Sequence, residues 1–177
     1  QKPSLRSTKS NPGTSKVAQQ HESHQANTGQ RNLLVEFRVN GFPAPQGSKR
    51  HVGRGILVES SPRLKDWRTS VAVACFDAYT DKPIEGPVGV CLEFVFPRPK
   101  SHYRTGKNSH LLRKSAPQYP TTRSVGDLDK LARGTIDPLC IGCGGSLLRD
   151  DSQVAWLYAA KDWSDDEAFA VIRVFQL

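Results

Sequence analysis

Two short stretches place acid in patterned surroundings. DLDKLAR, residues 127–133, sets Asp127 and Asp129 one residue apart where an apolar helical period begins. LRDDSQV, residues 148–154, sets Asp150 beside Asp151 just before a predicted strand. Aspartates are common in a first helical turn, because free N–H groups and the helix dipole favour ionised carboxylates there. The doublet is less ordinary: aspartate suits strands poorly, and adjacent carboxylates raise each other's pKa unless a cation intervenes. Carboxylate oxygens are hard ligands suited to Mg²⁺ or Mn²⁺. Where the helix start and the doublet meet in space, they would hold such ions. A site of that kind activates water and stabilises the leaving oxygen in phosphodiester hydrolysis. Asp137 lies roughly 12–15 Å further along the same helix at 1.5 Å per residue and is read as a structural acid.

The chain that must hold these acids is basic. Its 177 residues carry 25 Lys and Arg against 17 Asp and Glu, for a net charge of +8 and a pI near 9.5. A polyanionic partner follows, with nucleic acid the first candidate and an acidic membrane surface the second. Metal ions would let an anionic backbone approach an acidic patch that otherwise repels it. The length suits one domain with a real core. No apolar run approaches the roughly 18–20 residues that span a bilayer, and the start lacks the apolar core of a secretory signal. Four cysteines, two of them in predicted regular elements, do not form a disulfide framework. The expectation is a soluble cytoplasmic protein. The chain begins at Gln1 and contains no methionine, which points to a missing upstream piece.

The elements that position the acids follow from periodicity. Residues 1–30 have Val17 as their only large aliphatic besides Leu5, and are predicted to be a disordered basic and polar tail. The folded domain is placed at 31–177. LLVEFRV alternates as a half-buried strand. GFPAPQGSKR, residues 41–50, is a loop by its Gly and Pro content, and a short strand is placed at 56–58. Ser61 as cap and Pro62 at the first helical position start a helix. Its stripe is Leu64, Trp67, Val71, Ala74, Cys75 and Ala78. GPVGVCLEFVF is a strand, a second helix runs from about Asp127 to Leu139, and VAWLYAAK and AFAVIRVF are closing strands. The order predicts one compact α+β domain, a mixed sheet packed with two main helices.

Between Pro97 and Arg123 there are seven basic residues and no acid: Arg98, Lys100, Arg104, Lys107, Arg113, Lys114 and Arg123. This segment reads as a flexible arm that contacts phosphates, with Lys49 and Arg50 a weaker second patch alongside His51 and Arg54. Cys140 and Cys143 have a two-residue spacing, but a structural zinc site wants four ligands, so loop and core thiols are expected. Trp67 and Trp156 are assigned to the core. Trp163 is placed in an exposed acidic hairpin turn.

Together, GDLDKLARGTIDPL, LRDDSQV and the lysine-ended strand after them resemble the RusA-like Holliday junction resolvases, many of them encoded by phages or prophages. GFPAPQGSKR and SSPRLKDWR resemble the phage-type members. The resemblance spans most of residues 33–177. It implies metal binding by Asp127, Asp129 and Asp151, with Asp150 beside them. It further implies a Mg²⁺-dependent homodimer that resolves four-way DNA junctions by paired nicks in recombination and repair, in the host cytoplasm, with no membrane role. A two-fold symmetric substrate suits two equivalent sites. Three departures stand out. Lys130 replaces the family's usual asparagine, Arg133 replaces its helix lysine, and CIGCGGSLL is longer than the usual connection. Lys130 or Arg133 then supplies the catalytic positive charge; arginine clamps phosphate but does not exchange its proton. The rival readings are a broader branched-DNA or flap endonuclease and a non-catalytic DNA-binding accessory protein.

Overall fold

A computed structural model describes residues 32–47, 49–51, 53, 57–59 and 63–177. The predicted tail, the Ser61–Pro62 helix start, Arg54 and Ile56 lie outside the described residues. Among the described residues six strands and two α-helices follow in order: β1 (Asn32–Asn40), β2 (Lys49–His51), β3 (Leu57–Glu59), α1 (Leu64–Ala78), β4 (Val88–Pro97), α2 (Leu128–Ile136), β5 (Val154–Ser164) and β6 (Phe169–Gln176). They form a single α+β unit from Asn32 to Leu177.

The main sheet has the order β1-β6-β4-β5, and β2 pairs with β3 in a separate antiparallel ribbon. The sheet is mixed: β6 is antiparallel to both β1 and β4, while β4 and β5 are parallel. A parallel pair requires a long crossover, and here the crossover contains the basic segment and α2. Two sequence expectations change. Lys49–His51 is a strand, because Leu57–Glu59 supplies its hydrogen-bond partner. The acidic turn at 165–168 is not a hairpin between paired neighbours. It passes over the end of β4, which lies between β5 and β6.

The core follows the predicted faces. Val88, Val90, Leu92, Phe94 and Phe96 of β4 are buried, as expected of a central strand with alternating side chains. Leu64, Trp67, Val71 and Cys75 of α1 are buried, and the last three join the same core cluster. Trp156 is only half-buried, edge-on to Phe175 at 6.3 Å. Thr135 ties the helices together: it accepts from Trp67 Nε1 at 3.0 Å and donates to Leu131 O at 2.9 Å. Both polar groups are therefore satisfied in a dry place. Gly134 lets the 41–47 loop press on α2, since a Cβ there would meet Ala44 O at 2.9 Å. That approach allows Gln46 N to bond Lys130 O at 2.9 Å.

The α-helix ends at Ile136, three residues before the predicted end, and continues as a 3-10 turn over Asp137–Leu139. Pro138 has no N–H to give the α-helical ladder. The connection after it folds back. Leu147 N and Leu148 N donate to Leu139 O at 3.1 and 3.0 Å, and Ile141 N donates to Leu148 O at 2.9 Å. Leu147 and Leu148 return to the core fully buried.

Candidate functional site

Asp127 is the residue before α2, in extended conformation, and its side chain does not cap its own helix. Instead its Oδ2 accepts from Lys130 Nζ at 2.7 Å, and the carboxylate is about two-thirds exposed, at 65%. The Lys130 hydrogen bond and charge hold the Asp127 carboxyl below the usual carboxylate range, with Lys161 and Arg123 adding to the effect. Asp129, in the first turn, is exposed. The Asp127 bond, and behind it the Asp129 charge, raises the pKa of Lys130.

The doublet divides its labour. Asp150 Oδ1 accepts from Ser152 N at 2.9 Å, capping the short turn 151–153, and Gln153 Oε1 accepts from Arg149 N and Asp150 N in return. The Ser152 bond holds the Asp150 pKa low. Asp150 is thus occupied with the backbone, and Asp151 is left exposed.

Among the described residues the two acid groups form no common cluster. Asp151 acts electrostatically on Asp137 and Cys140, at the far end of α2. Ten residues separate Asp127 from Asp137, about 15 Å along a helix at 1.5 Å per residue. Carboxylates that share ions roughly 3.5–4 Å apart lie much closer together than the two ends of α2. Among the described residues, no three His, Cys, Asp or Glu side chains cluster to hold a metal ion. The donor chemistry suits a hard divalent cation, and Asp127 and Asp129 at the helix start are the exposed pair that would hold it. The fold-back at 139–148 delivers the doublet to the C-terminal end of α2.

Asp137 carries its own counterion. It pairs with Arg68, half-buried. Burial raises its pKa, Arg68 opposes that, and Asp151 adds to it. Arg133 is exposed in the last turn of α2 and acts on Asp137. Lys130 therefore belongs to the Asp127 end and Arg133 to the Asp137 end.

One residue emerged only in three dimensions. Lys161, near the end of β5, donates from Nζ to Gly126 O at 3.0 Å and so places a second cation beside Asp127. The available signal was a lysine closing an otherwise apolar half-buried strand.

The basic segment is built rather than loose. Arg104 N bonds Leu111 O at 2.8 Å, Arg113 N bonds His102 O at 2.8 Å, and Tyr103 bridges to Leu112. Arg98 Nη1 and Trp163 Nε1 both donate to Pro117 O, at 2.9 and 3.2 Å. Trp163 is half-buried, not exposed, and is the anchor: Arg98 lies 5.3 Å from its ring and His102 meets it edge-on. Lys100, Lys107, Lys114 and Arg123 are exposed. The backbone of Lys49 and Arg50 lies in β2. Cys140 is a core thiol, donating to Ile136 O and pushed up to about 12 by burial and then by Asp151. That leaves it unsuited to thiolate chemistry at neutral pH.

An α+β scaffold that presents exposed aspartates at a helix start, ringed by lysine and arginine beside a structured basic hairpin, defines a protein built to act on a polyanionic backbone. Residues 40–174 match the family model described as endodeoxyribonuclease RusA, and the chain belongs to that family of endodeoxyribonucleases. No curated protein matches the chain. Among the described residues no helix is long and apolar enough to cross a membrane.

Proposed function

We propose that this protein is a Mg²⁺-dependent endonuclease that resolves four-way DNA junctions as a homodimer. The observation that carries the reading is Asp127 and Asp129 exposed at the start of α2 and flanked by Lys130, Lys161 and Arg123. A cation-lined acidic point on a protein of charge +8 attracts DNA while keeping hard ligands for the scissile phosphate. Mg²⁺ or Mn²⁺ bound there would supply an activated water. Lys130 and Lys161 would hold charge on the phosphate, and the 98–123 hairpin, with Lys49 and Arg50, would grip the flanking backbone.

The separation of Asp127 from Asp151 supports the dimer. Two copies related by a two-fold axis can bring the helix start of one to the doublet of the other, completing two equivalent sites. The surface for this second copy is the outer face of α1. Val73 and Phe76 there are 56% and 62% exposed. They line a groove of about 910 Å³ that also includes Arg68 and Asp137, the acid on which the Asp151 charge acts. Lys65 and Asp77 also line it, 12 residues apart on one helix. In an antiparallel crossing each lysine faces the other copy's aspartate, so the face is complementary to itself.

The test is a synthetic four-way junction incubated with Mg²⁺, beside a flap, plain duplex and the Asp129→Asn protein. Paired nicks on the junction are expected from the wild type. The variant should bind the junction yet cut it roughly a hundredfold more slowly or worse, the loss expected for a metal ligand. Unchanged cutting by the variant, or equal cutting of all three substrates, would refute the reading.

A further inference from the structure

The hairpin within the basic segment holds a feature that phosphate contact does not explain. Residues 104–115 are all exposed, yet their backbone is stitched together by the bonds of Arg104 and Arg113 described above. Arg104 Nε adds a bond to Leu112 O at 3.3 Å, and Arg113 Nε one to Tyr103 O at 2.7 Å. Ordering a protruding segment costs conformational entropy, and apolar burial does not repay it here. Leu111 and Leu112 stand 40% and 42% exposed, and neither joins the core. A single exposed leucine is unremarkable. Two adjacent ones on an exposed, hydrogen-bonded hairpin, in a stretch with seven cations and no acid, are a different arrangement.

We propose that Leu111 and Leu112 form an apolar wedge that enters the base stack of DNA at a branch point. The inference rests on the endonuclease reading and names how that site selects its substrate. Lys107, Arg113 and Lys114 lie within five residues of the leucines in the chain, so the occupant is a polyanion that also offers apolar faces. DNA with an interrupted stack has both properties. Leucine is among the side chains that proteins insert between base steps. The cost of entry is lowest where pairing is already disturbed, so a branch point is favoured over intact duplex. The hairpin is also correctly rooted. Its base is fixed through Pro117 to Trp163, two residues from the Lys161 that bonds Gly126 beside Asp127. The hairpin is therefore rooted beside the strand end that carries Lys161 to the candidate acids.

The experiment uses a four-way junction carrying 2-aminopurine at the branch point and a plain duplex of equal length. Its proteins are the wild type and a double variant, Leu111→Ser with Leu112→Ser, both checked by circular dichroism and thermal melting. Wild-type binding should raise the 2-aminopurine fluorescence. The double variant should bind plain duplex as the wild type does, give no fluorescence rise, and lose about tenfold in junction-over-duplex preference. A variant that keeps both the rise and the preference overturns the wedge. So does a wild type that binds and cuts the junction without any rise, which leaves the endonuclease reading intact. A wild type that neither binds nor cuts the junction sinks both. A variant that weakens on junction and duplex equally shows that the leucines act through general affinity, and overturns the wedge as well.

Discussion

Asp127 and Asp151 act at opposite ends of α2: Asp127 directly precedes the helix, and the charge of Asp151 acts on Asp137 and Cys140 beyond its last turn. Helix length alone puts about 15 Å between those ends. On the proposed function, a metal centre shared by both acid groups would be assembled by two copies. Mixing inactive variants decides this. An Asp129→Asn chain paired with an Asp151→Asn chain contains one wholly intact site if the site is shared, and none if each chain builds its own. Nicking of a four-way junction should reappear on mixing and subunit exchange, up to about a quarter of the wild-type rate, since about half of the dimers are mixed and each holds one intact site. A mixture as inactive as its parents would show that sharing is wrong.

The outer face of α1 should carry the association. Phe76 is 62% exposed, so Phe76→Glu removes no core packing and its fold should persist. It should shift sedimentation toward the monomer mass and reduce junction cutting in parallel. An unchanged dimer would move the interface elsewhere.

Thr135 is fully buried and answers both Trp67 and Leu131. Thr135→Val keeps the shape and strands the Trp67 indole N–H in the core. A loss of about 1–3 kcal/mol in urea unfolding is expected, the cost of a buried donor without a partner. A change below about 0.5 kcal/mol would mean that the indole finds another acceptor.

Asp137 provides a pH signature. Burial raises its pKa in the folded chain despite Arg68, so the native state holds that proton more tightly than the unfolded chain does. Its contribution to stability is full below the ordinary carboxylate pKa and is lost as pH rises through the raised one. Denaturant midpoints of wild type and Asp137→Asn, followed from acid toward neutral pH, should diverge across the window just above the ordinary carboxylate range. Parallel curves would assign the pH dependence to other groups.

Local features were legible from the residues themselves. The alternation through Leu92, Phe94 and Phe96 marks a strand with one buried face, and the Leu64, Trp67, Val71, Cys75 stripe marks the inner face of α1. The helix start at Asp127–Asp129 was equally visible, because caps and first turns depend on residues within four positions of one another. Family membership was readable for the same reason, since its motif is contiguous.

Tertiary structure alone decided which of these pieces share a place. The insertion of β6 between β1 and β4 sends the 165–168 turn across the end of β4 rather than into a hairpin. The β4–β5 register carries Lys161 and Trp163 along β5, where they meet Gly126 and Pro117. The return of Leu147 and Leu148 to the core draws Asp151 to Asp137. Each is a consequence of long-range burial and strand pairing, whose partners lie tens of residues apart. Periodicity names the elements and their faces, but it holds no information on which strand will lie beside which.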